Sequence, residues 1–176
     1  MIFRETKVVG AFVLEAERHE DERGFFARTF SAEELGGRGL DGRVAESSIA
    51  YNAAAFTLRG LHYQRPPHEE TKLVRCTRGS VYDVIVDLRG DSATRLRWDA
   101  VELSDDNRLA LYVPEGCAHG YLTLVDDSEL TYLISHPYVE EAGAGVRWDD
   151  PLIGIQWPAV PAVIAARDAS YPDLVA

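Results

Sequence analysis

Short runs rich in valine, isoleucine, leucine, tyrosine and threonine are set apart by turn signals along most of the chain. The clearest covers 81–88. Val81, Asp83, Ile85 and Asp87 fall on one face of an extended strand, and Tyr82, Val84, Val86 and Leu88 on the other. Similar runs cover 11–15, 24–30, 109–113, 120–125 and 129–134. Arg78-Gly79, Arg89-Gly90-Asp91, Pro114-Glu115-Gly116 and Asp126-Asp127 punctuate them. Many short strands at close spacing predict an all-β sandwich or barrel. A jelly roll suits the pattern: two antiparallel sheets with a pocket between them where the sandwich splays. Helix is scarce. Ser31-Ala32-Glu33-Glu34 has capping-box spacing, and Gly36-Gly37 should stop that helix quickly. A second short helix is expected over 162–167, after Pro158 and Pro161. No repeat, linker or low-complexity stretch divides residues 1–176, which are expected to form one domain.

Composition narrows the function. At 46% hydrophobic and 27% charged residues the chain is an ordinary globular protein. Eighteen basic against twenty-nine acidic residues give a net charge of −11. That field argues against nucleic acid or an anionic membrane as partner, while a few arginines in a cleft can still bind a small anion. Cys76 and Cys117 imply no disulfide framework. No apolar run approaches the ~18 residues of a membrane span, and the first residues lack a signal-peptide core. A reduced, cytoplasmic protein is expected.

The densest polar cluster is Leu58-Arg59-Gly60-Leu61-His62-Tyr63-Gln64. His62 and Gln64 share a face of an extended strand, and Arg59 lies opposite unless the strand is irregular near Gly60. A lone strand histidine is by default a hydrogen-bonded packing residue; here Arg59, Gln64 and Lys72 keep it company. Lys72 stands out because the chain holds sixteen arginines and only two lysines, Lys7 and Lys72. A lysine kept at the head of an apolar strand suits a compact, single-point ammonium. In a second cluster, Pro114-Glu115-Gly116 delivers His119 onto the next strand. Tyr132, Tyr138 and Asp168 are individually unremarkable: packing tyrosines and a solvated aspartate are the common cases. No phosphate-binding glycine loop, nucleophile elbow or paired-cysteine metal motif is present in the sequence.

Together these residues resemble a known family. His62-x-Gln64 with Pro114-x-Gly116-x-x-His119 is similar to the two-part signature of the cupins, a superfamily of β jelly rolls. More narrowly, the chain resembles the dTDP-4-dehydrorhamnose 3,5-epimerases. The resemblance rests on Asp21–Phe26, Thr57–Gln64, Lys72–Arg75, Gly79–Val84, Val86–Arg89, Val113–Gly116, Ala118–Gly120 and Trp148–Pro151, which run in the family's order along nearly the whole chain. It implies a cupin-type double-stranded β-helix with short peripheral helices. It also implies an isomerase that needs no cofactor or metal and inverts C3 and C5 of a nucleoside-diphosphate 4-keto-6-deoxy sugar. By the resemblance His62 is the base, Asp168 orients it, Tyr132 is the acid on the opposite face of the ring, and Lys72 stabilises the enolate. Arg59 and His119 match residues that grip the sugar and diphosphate. Arg23 and Arg167 match phosphate contacts, Tyr138 a second tyrosine near the ring, and Phe26 a residue packing on the base. Gln64 and Arg28 belong to the same substrate-binding set. A homodimer is implied too, with Arg23 and Phe26 serving the neighbour's site.

The chain departs from the family mainly at the nucleotide end. Arg28 stands where a glutamate is common. Glu46-Ser47-Ser48, or Ser47-Ser48-Ile49 in another register, replaces a Gln-x-Asn pair. Gly143 replaces a glutamate and Phe56 a glycine. These positions leave the nucleotide open, and with it a 3-epimerase acting on another deoxysugar. Two further readings stand beside the epimerase. A metal-dependent cupin enzyme would use His62, Glu69 or Glu70, and His119, although Gln64 occupies the second position of the usual His-x-His pair. A non-catalytic carbohydrate-binding jelly roll would need none of Lys72, Tyr132 or Asp168 at these places.

Overall fold

A computed structural model describes residues 1–175. The chain opens with strands β1 (Ile2–Glu5), β2 (Phe12–Glu15), β3 (Arg18–Asp21) and β4 (Gly24–Ala27), then helix α1 (Ala32–Gly36). Strands β5 (Glu46–Asn52), β6 (Thr57–Gln64), β7 (Lys72–Arg78) and β8 (Ser80–Asp87) follow. After them come β9 (Trp98–Ser104), β10 (Ala110–Val113), β11 (Cys117–Thr123) and β12 (Ser128–Ile134). Short elements close the chain: β13 (Gly143–Gly145), β14 (Val163–Ile164) and α2 (Ala166–Ala169). One sheet runs β1-β2-β10-β7-β12-β5 and the other β13-β6-β11-β8-β9, with β14 on β6; β3 and β4 form a separate hairpin. This is the expected all-β jelly roll with few, short helices.

The alternation read from the sequence governs the packing. Val81 and Ile85 of β8 point between the sheets, against Val74, Leu111, Tyr121 and Leu130. Val84 and Val86 point the other way, against Leu61, Ala118, Val146 and Ile153. The aspartates on the inward face of β8 are both fully buried. Asp87 is bonded by Arg89, Ser92 and Thr94. Burial opposes its charge, but those bonds outweigh burial and hold the carboxyl at about 2. Asp83 serves the site described below. Helix α1 is capped by Ser31, whose Oγ accepts from the Glu34 amide at 3.3 Å, and lays Leu35 on the outer face of the first sheet against Leu14 and Leu73. Cys76 and Cys117 are free and buried.

The expected helix over 162–167 is a correction. The amides of Ala162 and Val163 donate to the Phe56 carbonyl at 2.9 and 3.3 Å. The β-branched pair Val163-Ile164 therefore runs parallel to β6, and helix begins only at Ala166.

The feature that positions the site lies between β6 and β11. His62 pairs with His119 and Arg59 with Tyr121, so Gly60 and Leu61 together stand opposite Gly120. This is a β-bulge, the irregularity near Gly60 that the sequence left open. It restores Arg59 to the face of His62, because paired residues share a face and His119 and Tyr121 are two apart. Gly60 has φ +135°, a region closed to side-chain-bearing residues. A Cβ on Gly60 would lie 2.5 Å from the Gly120 Cα. One on Gly120 would lie 2.8 Å from the Arg59 carbonyl and 2.9 Å from the Gly60 Cα. Both positions need glycine so that two backbones can touch.

Gly120→Ala should therefore cost about 2 kcal/mol through overpacking and lower the melting temperature by about 4–8 °C. Gly90→Ala, at a position with open space around it, should melt with the wild type. Equal melting of all three proteins would contradict the contact.

Candidate active site

A cleft of about 290 Å³ opens between the sheets, and His62, Gln64, Glu70, Lys72, Tyr138 and Arg167 help to line it. His62 comes from β6 in one sheet; Lys72 of β7 and Tyr132 of β12 come from the other. Lys72 shares the inward face with Tyr132, since Lys72 pairs with Ile134 and Val74 with Tyr132.

His62 Nε2 lies 2.8 Å from Asp168 Oδ1. An ionised carboxylate only accepts, so Nε2 carries the proton and Nδ1 is left as the lone-pair nitrogen. The second oxygen, Oδ2, accepts from the Gly60 amide at 3.0 Å. Asp168 thus fills a gap on the β6 edge between β14, paired at Thr57-Leu58, and β13, paired at His62–Gln64. Burial works against its charge, but the His62 and Gly60 hydrogen bonds, with the charge of Arg167 beside them, outweigh it and lower its pKa. Tyr171 packs edge-on to the His62 ring at 6.2 Å and receives a hydrogen bond from Arg167 Nε at 2.7 Å.

His119 forms a second, buried pair, with Nε2 2.9 Å from Asp83 Oδ1. Burial raises the Asp83 pKa, against the opposing pull of His119. The His119 ring meets the Tyr132 ring edge-on at 6.0 Å. Burial raises the Tyr132 phenol well above its ordinary value, with Tyr121 and Asp83 adding to it. Tyr132 therefore holds its proton through the neutral range. The Tyr121 hydroxyl donates to Asn52 Oδ1 at 3.1 Å, and Arg59 Nε donates to the same oxygen at 2.8 Å. Arg59 thus spans from β6 to β5 and remains exposed. Lys72 Nζ bonds Glu70 Oε1 at 2.9 Å and the His62 carbonyl at 3.3 Å.

Of the sequence candidates, His62, Lys72, Tyr138 and Arg167 line the cleft, Asp168 is bonded to His62, and His119, Arg59 and Tyr132 lie beside them on the inward strand faces. Gln64 lines the cleft too, but its amide is spent on backbone. Nε2 donates to the carbonyls of His68 and Pro137, and Oε1 accepts from Val139, which pins the segment bearing Tyr138. Arg23, Phe26 and Arg28 do not join the cleft of their own chain. Arg23 pairs with its neighbour Asp21 on the β3–β4 hairpin. Phe26 is 75% exposed, and Arg28 faces Glu34. On β5 the inward residues are Glu46 and Ser48, opposite Ile134 and Tyr132.

Asp83, Asn52, Tyr121 and Tyr171 were not singled out in the sequence. Only Asp83 carried a signal, as a charge on an apolar strand face. His62 and His119 each bind their own aspartate and Glu70 binds Lys72, and the described residues hold no cluster of three metal-ligating side chains. A larger hollow of about 660 Å³ lies by the hairpin, where Arg18 and Arg108 stand 5.0 and 5.1 Å from the Phe25 ring. None of the histidine pairs faces it.

Residues 5–176 match the family model described as dTDP-4-dehydrorhamnose 3,5-epimerase. A dTDP-4-dehydrorhamnose 3,5-epimerase from Methanothermobacter thermautotrophicus is 42% identical over 89% of this chain and 83% of its own length. The structure of the Bacillus anthracis dTDP-4-dehydrorhamnose 3,5-epimerase with TDP and PPi bound is similar, with a TM-score of 0.93 at 37% identity, covering 98% of this chain and 99% of that one. ChmJ, a 3′-monoepimerase from Streptomyces bikiniensis in complex with dTDP-quinovose, has a TM-score of 0.87 at 33% identity, covering 96% of this chain and 85% of that one.

The lowered Asp168 pKa gives a signed prediction. A carboxylate depressed in the folded state stabilises the fold above its unfolded pKa, near 3.8, and that stabilisation is lost as pH falls through the folded value. Urea denaturation at pH 7 should show Asp168→Asn less stable than the wild type, and the gap should close as pH drops below about 4. A gap that stays constant with pH would show that the Asp168 charge contributes nothing.

Proposed function

The chain belongs to the dTDP-4-dehydrorhamnose 3,5-epimerase family, and on that premise we propose that it inverts C3 and C5 of a nucleoside-diphosphate 4-keto-6-deoxy sugar, with His62 as base and Tyr132 as acid. The observation that carries this reading is the placement of the two groups. His62 with its carboxylate stands on one sheet, and Tyr132, with its proton firmly held, stands on the other. Inversion requires a proton to leave one face of a carbon and another to arrive on the opposite face.

A C–H beside a ketone is acidic because its electrons can move onto the ketone oxygen. His62 Nδ1 takes the proton from C3 as the C–H bond breaks, and the electron pair passes to O4 as an enolate. The Lys72 ammonium stabilises that oxygen electrostatically. Tyr132 O–H then gives a proton to C3 from the other face, and the pair returns from oxygen to form the new C–H bond. Solvent takes the proton from His62 and restores the one lost by Tyr132. The same cycle at C5 completes the reaction. Asp168 holds the imidazole in the productive tautomer. Arg59, Arg167 and Tyr138 line the route by which the anionic nucleotide enters, and His119 holds the sugar beside Tyr132.

The β3–β4 hairpin is assigned to a second copy of the chain. Its exposed Phe26 and Arg23 suit a nucleotide base and phosphate, yet they stand apart from the cleft of their own chain. A homodimer would bring each hairpin to the neighbour's cleft.

Incubation with dTDP-4-keto-6-deoxy-glucose, followed by NMR, tests the assignment. The wild type should form the epimerised sugar. Tyr132→Phe should lose about 10²–10⁴-fold in turnover while its affinity for dTDP changes by less than about threefold. Wild-type turnover in the Phe variant would remove Tyr132 as the acid, and a wild type that binds without turnover would make the protein a carbohydrate-binding jelly roll.

A further inference from the structure

Glu70 lies two residues before Lys72, in the connection between β6 and β7. It is 8% exposed and lines the cleft. Oε1 holds Lys72 Nζ at 2.9 Å. The other oxygen, Oε2, is buried and meets no donor among the described residues. Buried carboxylate oxygens ordinarily have hydrogen-bond donors, and leaving one without is costly. A sugar entering the cleft brings such donors in its C2 and C3 hydroxyls.

The ammonium side of the pair is equally specific. Lys72 has three N–H donors. One goes to Glu70 and one reaches the His62 carbonyl at 3.3 Å. The third is left for a ligand. A lysine alone is a point charge on a flexible stem. Held at two points, it becomes a directed donor, and it is tied to the backbone of the very residue assigned as the base.

We propose that Glu70 is a positioning and substrate-binding residue: Oε1 fixes the Lys72 ammonium so that its free N–H meets the substrate ketone oxygen, and Oε2 accepts a hydrogen bond from a ring hydroxyl of the sugar. This inference rests on the 4-keto-sugar reading above. It gives the cleft a third carboxylate with a task different from those of Asp168 and Asp83. Asp168 and Asp83 set histidines, and Glu70 sets a lysine and reads a hydroxyl.

Steady-state kinetics on dTDP-4-keto-6-deoxy-glucose test it with Glu70→Gln, Glu70→Ala, Lys72→Met and the Glu70→Gln/Lys72→Met double variant. Glu70→Gln keeps the shape and one acceptor but loses the charge. It should lower kcat about tenfold and raise KM about threefold, with an unchanged melting temperature. Glu70→Ala should lose at least about 100-fold in kcat/KM. In the Lys72→Met background, Glu70→Gln should have less than about a twofold further effect on kcat, because residues that act as a unit are not additive. Wild-type kcat and KM in the Gln variant, or a full tenfold loss in the Lys72→Met background, would overturn the proposal. Failure of the wild type itself to turn over would overturn the function, and this inference with it. Turnover by the wild type with unaffected Glu70 variants would overturn this inference alone.

Discussion

The contact on which the site depends is the approach of Gly60 to Gly120. Two backbones meet there at a distance that leaves no room for a Cβ on either. The bulge this allows turns β6 by one residue, so Arg59 and His62 share the cleft face with His119 and Tyr121. It also interrupts the β6 edge, and the Asp168 carboxylate bridges the interruption through the Gly60 amide. The residue that orients His62 is therefore also a closing piece of the sheet. Structure and chemistry depend on the same two glycines.

Around that contact the cleft is built from paired charges. His62 and His119 each have their own aspartate and Lys72 has Glu70. Pairing of this kind holds charged groups at fixed places in a partly buried site, where a free ion would be costly. Tyr132 is the exception, neutral and holding its proton firmly. In a chain of net charge −11, Lys72 and Arg167 place positive charge in the cleft.

Much of this was legible in the sequence. The alternation in β8 separated Val81 and Ile85 from Val84 and Val86, and the fold puts the first pair between the sheets and the second on the outer face. The scarcity of lysine drew attention to Lys72, and the Arg59–Gln64 run located the main strand of the site. The family resemblance supplied Asp168 and Tyr132, which no local pattern distinguishes. Other features depend on tertiary contacts that a linear pattern does not carry. Val163-Ile164 became a strand because Phe56 offered its carbonyl. Arg59 changed face because of a bulge. Tyr121 and Asn52 meet only when β11 and β5 are stacked. Glu70 was visible as an acidic residue near Lys72 but suggested metal binding, since its orphaned oxygen exists only in the folded chain.

The central claim is that one cleft removes a proton from one face of the sugar and returns a solvent-derived proton to the other. Turnover of dTDP-4-keto-6-deoxy-glucose by the wild-type protein in D2O tests it most directly. The account predicts deuterium at C3 and at C5 of the epimerised product. Product that keeps its original hydrogen at both carbons would contradict it.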